Sequence, residues 1–253
     1  MIPTGAASIP LNVNYTVGEK MVYDTAITGT FDVQNSTLPS TMGLSPNNTS
    51  VNETQSIEVT GFDGEYYTLN HTMTMTLNDK PYSISTIEKM NKTGYSTYIF
   101  NLGNTSQEIP NTGVTSNSYL AQLLSKPEVK VGDSINVPFP GVSSSMGMTG
   151  DLTMTFKGFE DLTVPAGTYK VFRIDITSNN LSMSFHPSIG NSSINVPTNI
   201  NMNIGMNYQI YMEYGTMRQI KSTMQETVSY QSAIINSTMQ LTMDMTLDQH
   251  IKP

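Results

Sequence analysis

Residues 236–247 read N-S-T-M-Q-L-T-M-D-M-T-L, and their parity decides the fold class. Met239, Leu241, Met243, Met245 and Leu247 fall on one parity, while Gln240, Thr242, Asp244 and Thr246 fall on the other. A β-strand sends successive side chains to opposite faces, so a period of two gathers the apolar groups on one side. The pattern recurs. In 68–77, Leu69, Met73, Met75 and Leu77 oppose Asn70, and in 180–185, Leu181, Met183 and Phe185 oppose Asn180. Leu152, Met154 and Phe156 alternate with Asp151, Thr153, Thr155 and Lys157. Ile200, Met202, Ile204 and Met206 alternate with Asn199, Asn201, Asn203 and Gly205. Met21, Tyr23, Ile27, Phe31 and Val33 give one face of a long first strand. One buried and one wet face is the antiparallel habit. The expectation is an all-β chain folded as a single domain over 1–253.

One segment departs from this period. Residues 116–125, S-N-S-Y-L-A-Q-L-L-S, offer Ser116, Asn117 or Ser118 as a cap and put Leu120, Leu123 and Leu124 on one side. Pro127 follows, so a short helix is expected there. Asp63-Gly64, Asn78-Asp79-Lys80-Pro81, Pro140-Gly141 and Pro165-Ala166-Gly167 mark turns. The polar stretches 34–55 and 186–198 read as exposed loops, and 1–16 as an N-terminal arm. Val17-Gly18-Glu19 resembles Val131-Gly132-Asp133, and Gly61-Phe62-Asp63 resembles Gly158-Phe159-Glu160. These pairs suggest a weak duplication of 17–110 in 128–250; the bland alternative is that V-G-[DE] is a common way to enter a strand.

Composition removes several kinds of function. The 253 residues contain no Cys, which excludes a thiol nucleophile, a disulfide framework and a thiolate metal site. Lys+Arg number 12 against 20 Asp+Glu, a net charge of -8, and no basic stripe suited to nucleic acid occurs. No apolar run approaches the ~20 residues of a spanning helix. The opening Met1-Ile2-Pro3-Thr4-Gly5 lacks a basic and apolar leader, so a mature form is expected, its signal peptide absent from this chain.

The acceptor motif N-x-[ST] occurs at Asn14, Asn35, Asn47, Asn48, Asn52, Asn70, Asn91, Asn104, Asn180, Asn191 and Asn236. Given 23 Asn and 60 Ser+Thr, chance supplies roughly five or six of these eleven. Asn70, Asn180 and Asn236 lie on the polar parity of their strands, where a glycan could stand in solvent. A secreted or cell-surface glycoprotein is therefore expected. The cysteine-free, Thr/Ser/Asn-rich, acidic composition suggests an archaeal or other prokaryotic envelope protein.

The segment from Gly158 to Ile174, G-F-E-D-L-T-V-P-A-G-T-Y-K-V-F-R-I, resembles a strand–turn–strand signature of secreted domains in the LolA/LolB-like superfamily. Pro165 fixes φ and Gly167 supplies a flexible or left-handed position, so the chain reverses tightly. The stretches 17–23, V-G-E-K-M-V-Y, and 211–218, Y-M-E-Y-G-T-M-R, resemble the opening strand and a late hairpin of the same domains. The long polar loop and the Met richness depart from the family, and there is no lipobox Cys. The resemblance implies a strongly curved antiparallel sheet, a half-barrel, with a short helix near the concave face and an apolar ligand held in the concavity. It carries no catalytic residues.

The chemistry inventory agrees with that reading. His71, His186 and His250 fall in no metal-binding spacing, although His71 shares the parity of Met73 and Met75 and is expected to point inward. No G-x-S-x-G, S-x-x-K, P-loop or G-x-G-x-x-G occurs. Neither an enzyme nor a resident metal or cofactor is expected. Of the 18 Met, nine fall on apolar parities: Met73, Met75, Met154, Met183, Met202, Met206, Met239, Met243 and Met245. Three readings remain open: ordinary core packing, an adaptable cavity lining, and thioether ligation of Cu(I). The cavity reading makes these nine the candidate lining of a lipid or other apolar ligand site. The rival function is a structural subunit of a surface layer, sheath or filament. It would assemble by lending a terminal strand, from 1–17 or 237–253, to a neighbour's edge.

Overall fold

A computed structural model describes residues 9, 12–36, 47–77, 80–102, 105–110, 117–124, 128–138, 146–185, 200–231 and 235–253. Twelve strands and one helix follow in chain order. They are β1 (Lys20–Ser36), β2 (Asn47–Phe62), β3 (Tyr66–Leu77), β4 (Lys80–Asn91), β5 (Ser96–Leu102), β6 (Thr105–Pro110), α1 (Asn117–Leu124), β7 (Ser134–Pro138), β8 (Met146–Val164), β9 (Gly167–Phe185), β10 (Ile200–Glu213), β11 (Gln219–Gln231) and β12 (Ile235–Ile251). They form one antiparallel sheet in the order β6-β5-β4-β3-β2-β1-β12-β11-β10-β9-β8-β7. The sheet is curved and does not close into a barrel. The all-β expectation holds, and so does the helix: α1 buries Leu120, Leu123 and Leu124 to 1% exposure or less.

The core lies on the inner face of the curve. The apolar parity of each strand supplies it: Met21 and Tyr23 from β1, Leu69 from β3, Leu152, Met154 and Phe156 from β8, Ile174 and Ile176 from β9, Ile210 from β10, Leu247 from β12. The leucines of α1 belong to this cluster. Each such side chain, once buried, contributes about 1.5–3 kcal/mol. The hairpin at Pro165-Ala166 joins Val164 to Gly167 as register partners, and Gly167 has φ of 137°, a value that favours glycine.

Two turns are built alike. Gly18 and Gly132 have φ of 92° and 93°. Gly18 N donates to Val59 O and Val59 N to Glu19 O; Gly132 N donates to Phe156 O and Phe156 N to Asp133 O. In each turn an acidic side chain accepts the amide three residues back, Thr16 N to Glu19 and Lys130 N to Asp133. Each partner strand then carries a register shift before a glycine, at Val59/Gly61 and at Phe156/Gly158.

Several sequence expectations need correction. The loop expected over 34–55 is partly strand, because β1 runs through Ser36 and β2 begins at Asn47. Residues 47–55 are too polar to announce a strand, but β1 supplies a full ladder for them, from Phe31↔Asn47 to Tyr23↔Gln55. The proposed C-terminal donor, 237–253, lies largely in β12, which is paired within the chain with β1 on one edge and β11 on the other. The N-terminal arm is packed where it is described: Ile9 and Val13 are buried, and Val13 N donates to Lys92 O. The expected loop 186–198 lies outside the described residues, as does His186.

Candidate functional site: a polar-centred concavity

The inner face of β2–β5 is not filled. Tyr67, Leu69, His71, Met73 and Met75 share one parity of β3, and the first two are buried in the core. Across the ladder from His71, Met73 and Met75 stand Thr86, Ile84 and Tyr82 of β4. Tyr82 and Ile84 are 49% and 54% exposed, so an apolar face stays open to solvent here.

Two adjoining cavities occupy this region. The first, about 190 Å³, is lined by Tyr15, Tyr23, Gln55, Ile57, Leu69, His71, Glu88, Met90, Gly94, Tyr98, Met212, Met217, Gln219 and Met245. The second, about 230 Å³, is lined by Gln55, His71, Met73, Ile84, Thr86 and Tyr98. Gln55, His71 and Tyr98 are common to the two.

At this junction sits a buried polar cluster. Glu88 shares its parity with Ile84 and Met90, so β4 points a carboxylate inward, and it is 3% exposed. His71 Nε2 lies 2.8 Å from Glu88 Oε2, and Gln55 Nε2 lies 3.4 Å from His71 Nδ1. The His71 and Tyr98 rings meet edge to face at 5.9 Å. The Tyr98 phenol is pushed well above the usual tyrosine range, by burial first and then by the charge of Glu88 and a hydrogen bond to it. Tyr98 therefore stays protonated and donates to Glu88. Burial, and next the Glu88 charge, likewise keep the Tyr15 phenol protonated. Tyr23, raised chiefly by burial, donates to Gln219 O at 2.9 Å.

Behind the first cavity lies a second buried cluster, which fixes its wall. Arg218 is bound to both Glu19 and Glu213, and His250 Nε2 is 2.6 Å from Glu19 Oε1. Tyr169 Oη lies 3.4 Å from His250 Nδ1. The Arg218 guanidinium sits 5.8 Å from the centre of the Tyr15 ring. The cluster ties the turn before β1, the β10–β11 hairpin and β12 into one unit. Met217, beside Arg218, has φ of 58°, an uncommon conformation for a residue with a side chain, and it presents that side chain to the first cavity.

The nine candidate methionines divide. Met245 lines the first cavity and Met73 the second. Met154 is buried in the core at 1% exposure; Met206 and Met243 are half-buried against it. Met75, Met183, Met202 and Met239 are half-buried and line neither cavity. Met90, Met212 and Met217, which line the first cavity, were missed, as were Gln55, Glu88 and Tyr98. Glu88 carried a signal, since it shares the apolar parity of Ile84 and Met90 in its strand, as Glu53 does in β2 and Glu226 in β11. Among the described residues, no group of three His, Asp or Glu could hold a metal ion.

Of the acceptor asparagines, Asn14, Asn52 and Asn236 are exposed, and Asn70 and Asn91 are half-buried. Asn91 Oδ1 accepts from Thr93 N, Thr93 Oγ1 and Tyr95 N. Asn35, Asn48 and Asn180 lie in β1, β2 and β9, while Asn104 and Asn191 fall outside the described residues. Among the described residues, no helix is long and apolar enough to cross a membrane.

No family model matches the chain, and no curated protein matches it. Solved structures do. A Bacteroides fragilis protein, described as exported and of YmcC-like fold, covers 97% of this chain and 100% of its own, with a TM-score of 0.36 and 8% identity. A Parabacteroides distasonis protein, described as a lipoprotein, gives the same coverage and identity with a TM-score of 0.32. Likenesses this loose transfer neither a family nor a function to the chain.

Proposed function

We propose that the protein is a non-catalytic, secreted or cell-surface β-domain of LolA-like type that holds one apolar chain in the concavity of its sheet. The observation that carries this reading is the pair of adjoining cavities on the inner face of β2–β5. Each is smaller than the ~300–1,000 Å³ typical of small-molecule sites. The two in series suit a single extended chain. Met73, Met90, Met212, Met217 and Met245 line them, and unbranched thioethers can re-pack around chains of different shape. The packing of α1 into the core supports the LolA-like reading, as the kinship of the Gly18 and Gly132 turns supports a duplication. Exposed Asn14, Asn52 and Asn236 support glycosylation on the outer face and at the strand entrance.

The test is native mass spectrometry of protein purified under mild conditions, followed by lipid extraction. A bound single-chain amphiphile, released on denaturation, is the expected result. Protein that is ligand-free and takes up no amphiphile when offered one refutes the carrier reading. Glycopeptide mapping of native material checks the sequons independently.

A further inference from the structure

Resting on that carrier reading, we infer that the concavity selects a single-chain amphiphile whose polar head donates hydrogen bonds and bears no negative charge, such as an alcohol or an amine, and rejects fatty acids. The head sits at the His71–Glu88 junction, and the chain runs along Met73 and Ile84.

Charge and donor count at the junction decide the head group. Among the residues lining the two cavities, Glu88 and His71 are the only ones whose charge matters near neutrality; neither Lys nor Arg is among them. With His71 neutral the junction carries a net charge of one negative unit, and with His71 protonated it carries none. In neither state is there a surplus cation for an anionic head. Arg218, the buried cation among the described residues, lies against Tyr15 and is already bound to Glu19 and Glu213. A ligand carboxylate would be stripped of water and set beside a buried carboxylate without a counter-ion, which is strongly unfavourable. A hydroxyl or ammonium head meets the opposite situation. An ionised carboxylate such as Glu88 only accepts, with about four lone-pair sites, and it is met by His71 and Tyr98, so a donor head suits it and an acceptor head does not. Beyond the junction apolar groups predominate: Met73 and Ile84 face each other as register partners, and Met75 and exposed Tyr82 continue the row, with half-buried Glu53 across from Met75 at its far end. The site is thus polar at one end and apolar along the other, the polarity of a single-chain amphiphile.

The experiment uses the delipidated full chain at neutral pH. It is titrated with 1-dodecanol below its solubility limit and with dodecylamine and laurate below their micelle concentrations, and binding is read by calorimetry and native mass spectrometry. The alcohol and the amine are expected to bind at least about tenfold more tightly than laurate, because only laurate places like charges together. In Glu88→Gln the laurate deficit should shrink to about threefold or less. Gln55→Lys, at a half-buried position facing His71, should reverse the order in favour of laurate and shows the effect even where Glu88→Gln is unstable. Laurate binding the native protein as tightly as dodecanol overturns the head-group inference and leaves the carrier reading standing. Unaltered selectivity in Gln55→Lys also overturns it. Failure of all three probes to bind removes the carrier reading and this inference together.

Discussion

Replacing Arg218 by Met should destabilise the fold far more than any other loss of a cation among the described residues. The side chain is 5% exposed and joins Glu19, 3% exposed, to Glu213 across strands that lie far apart in sequence. Removing it leaves Glu19 buried with only His250 and the Thr16 amide as partners. Breaking a buried pair by deleting one partner costs about 3–5 kcal/mol, because the remaining charge has no water to return to. For a domain of this size each kcal/mol lowers Tm by about 2–4 °C, so a fall of roughly 6–20 °C is expected. Arg173→Met is the matched control. Its guanidinium forms a bidentate pair with Asp175, 2.7 and 2.8 Å, but the two side chains are 29% and 18% exposed. A cost of about 1 kcal/mol, or 2–4 °C, is appropriate there. Thermal unfolding followed by circular dichroism, with urea midpoints as a second measure, compares the two. Adding Glu19→Gln to Arg218→Met should recover part of the loss, since the stranded charge is then gone. An Arg218→Met Tm that falls no further than that of Arg173→Met, or a double variant that recovers nothing, would refute a stranded buried charge at Glu19.

Three other outcomes follow from the geometry. Gly158→Ala should cost about 1–3 kcal/mol in urea unfolding, because φ is 118° and a Cβ would stand 3.2 Å from Val131 Cγ2; Gly132→Ala, with φ of 93° and open space, should cost less. Leu123→Ala, at 0% exposure, should cost about 2–5 kcal/mol and raise amide exchange in α1. Tyr15, Tyr23 and Tyr98 have folded pKa values held above the unfolded value of about 10, so the stability they contribute is full below that pH and is lost as pH rises past it. Each contributes a loss of about 1.4 kcal/mol per pH unit, which predicts an alkaline unfolding in which absorbance near 295 nm and circular dichroism change together. Phenolate signal from all tyrosines at pH 10–10.5 with the sheet intact would contradict this.

The fold was legible where burial imposes parity. Leu69, Met73 and Met75 announce β3, and Met239 to Leu247 announce β12, because one face of each meets the core. The strand at 47–55 was not legible: N-N-T-S-V-N-E-T-Q has no apolar period, and its structure comes from the ladder β1 provides. The candidate site was half legible. His71 was placed inward by parity, but its partner Glu88 comes from a different strand, and nothing local to either residue records their approach. The quoted stretches 17–23 and 211–218 hid a similar relation, for Glu19 in one binds Arg218 in the other. Sequence proximity encodes the face a residue takes; only the ladder register decides whom it meets.

The strand order has a consequence for how the chain assembles. Within β1–β6, and again within β7–β12, every neighbour in the sheet is also the next strand in sequence, so each half can zip by local hairpins. The pairing of β1 with β12 is different: it brings Lys20 against Ile251. It is the one junction in the strand order that joins elements from opposite ends of the described sheet sequence, and it cannot form before β12 is made. Until then the two meanders present two long bare edges in the middle of what will become the sheet. Shortening the chain before β12 would leave β1 permanently unpaired on that side, a ready template for another chain. Closing the joint between the halves carries the largest loop-closure cost of any pairing in the sheet, so it is expected to form late and to be the place where misassembly would begin.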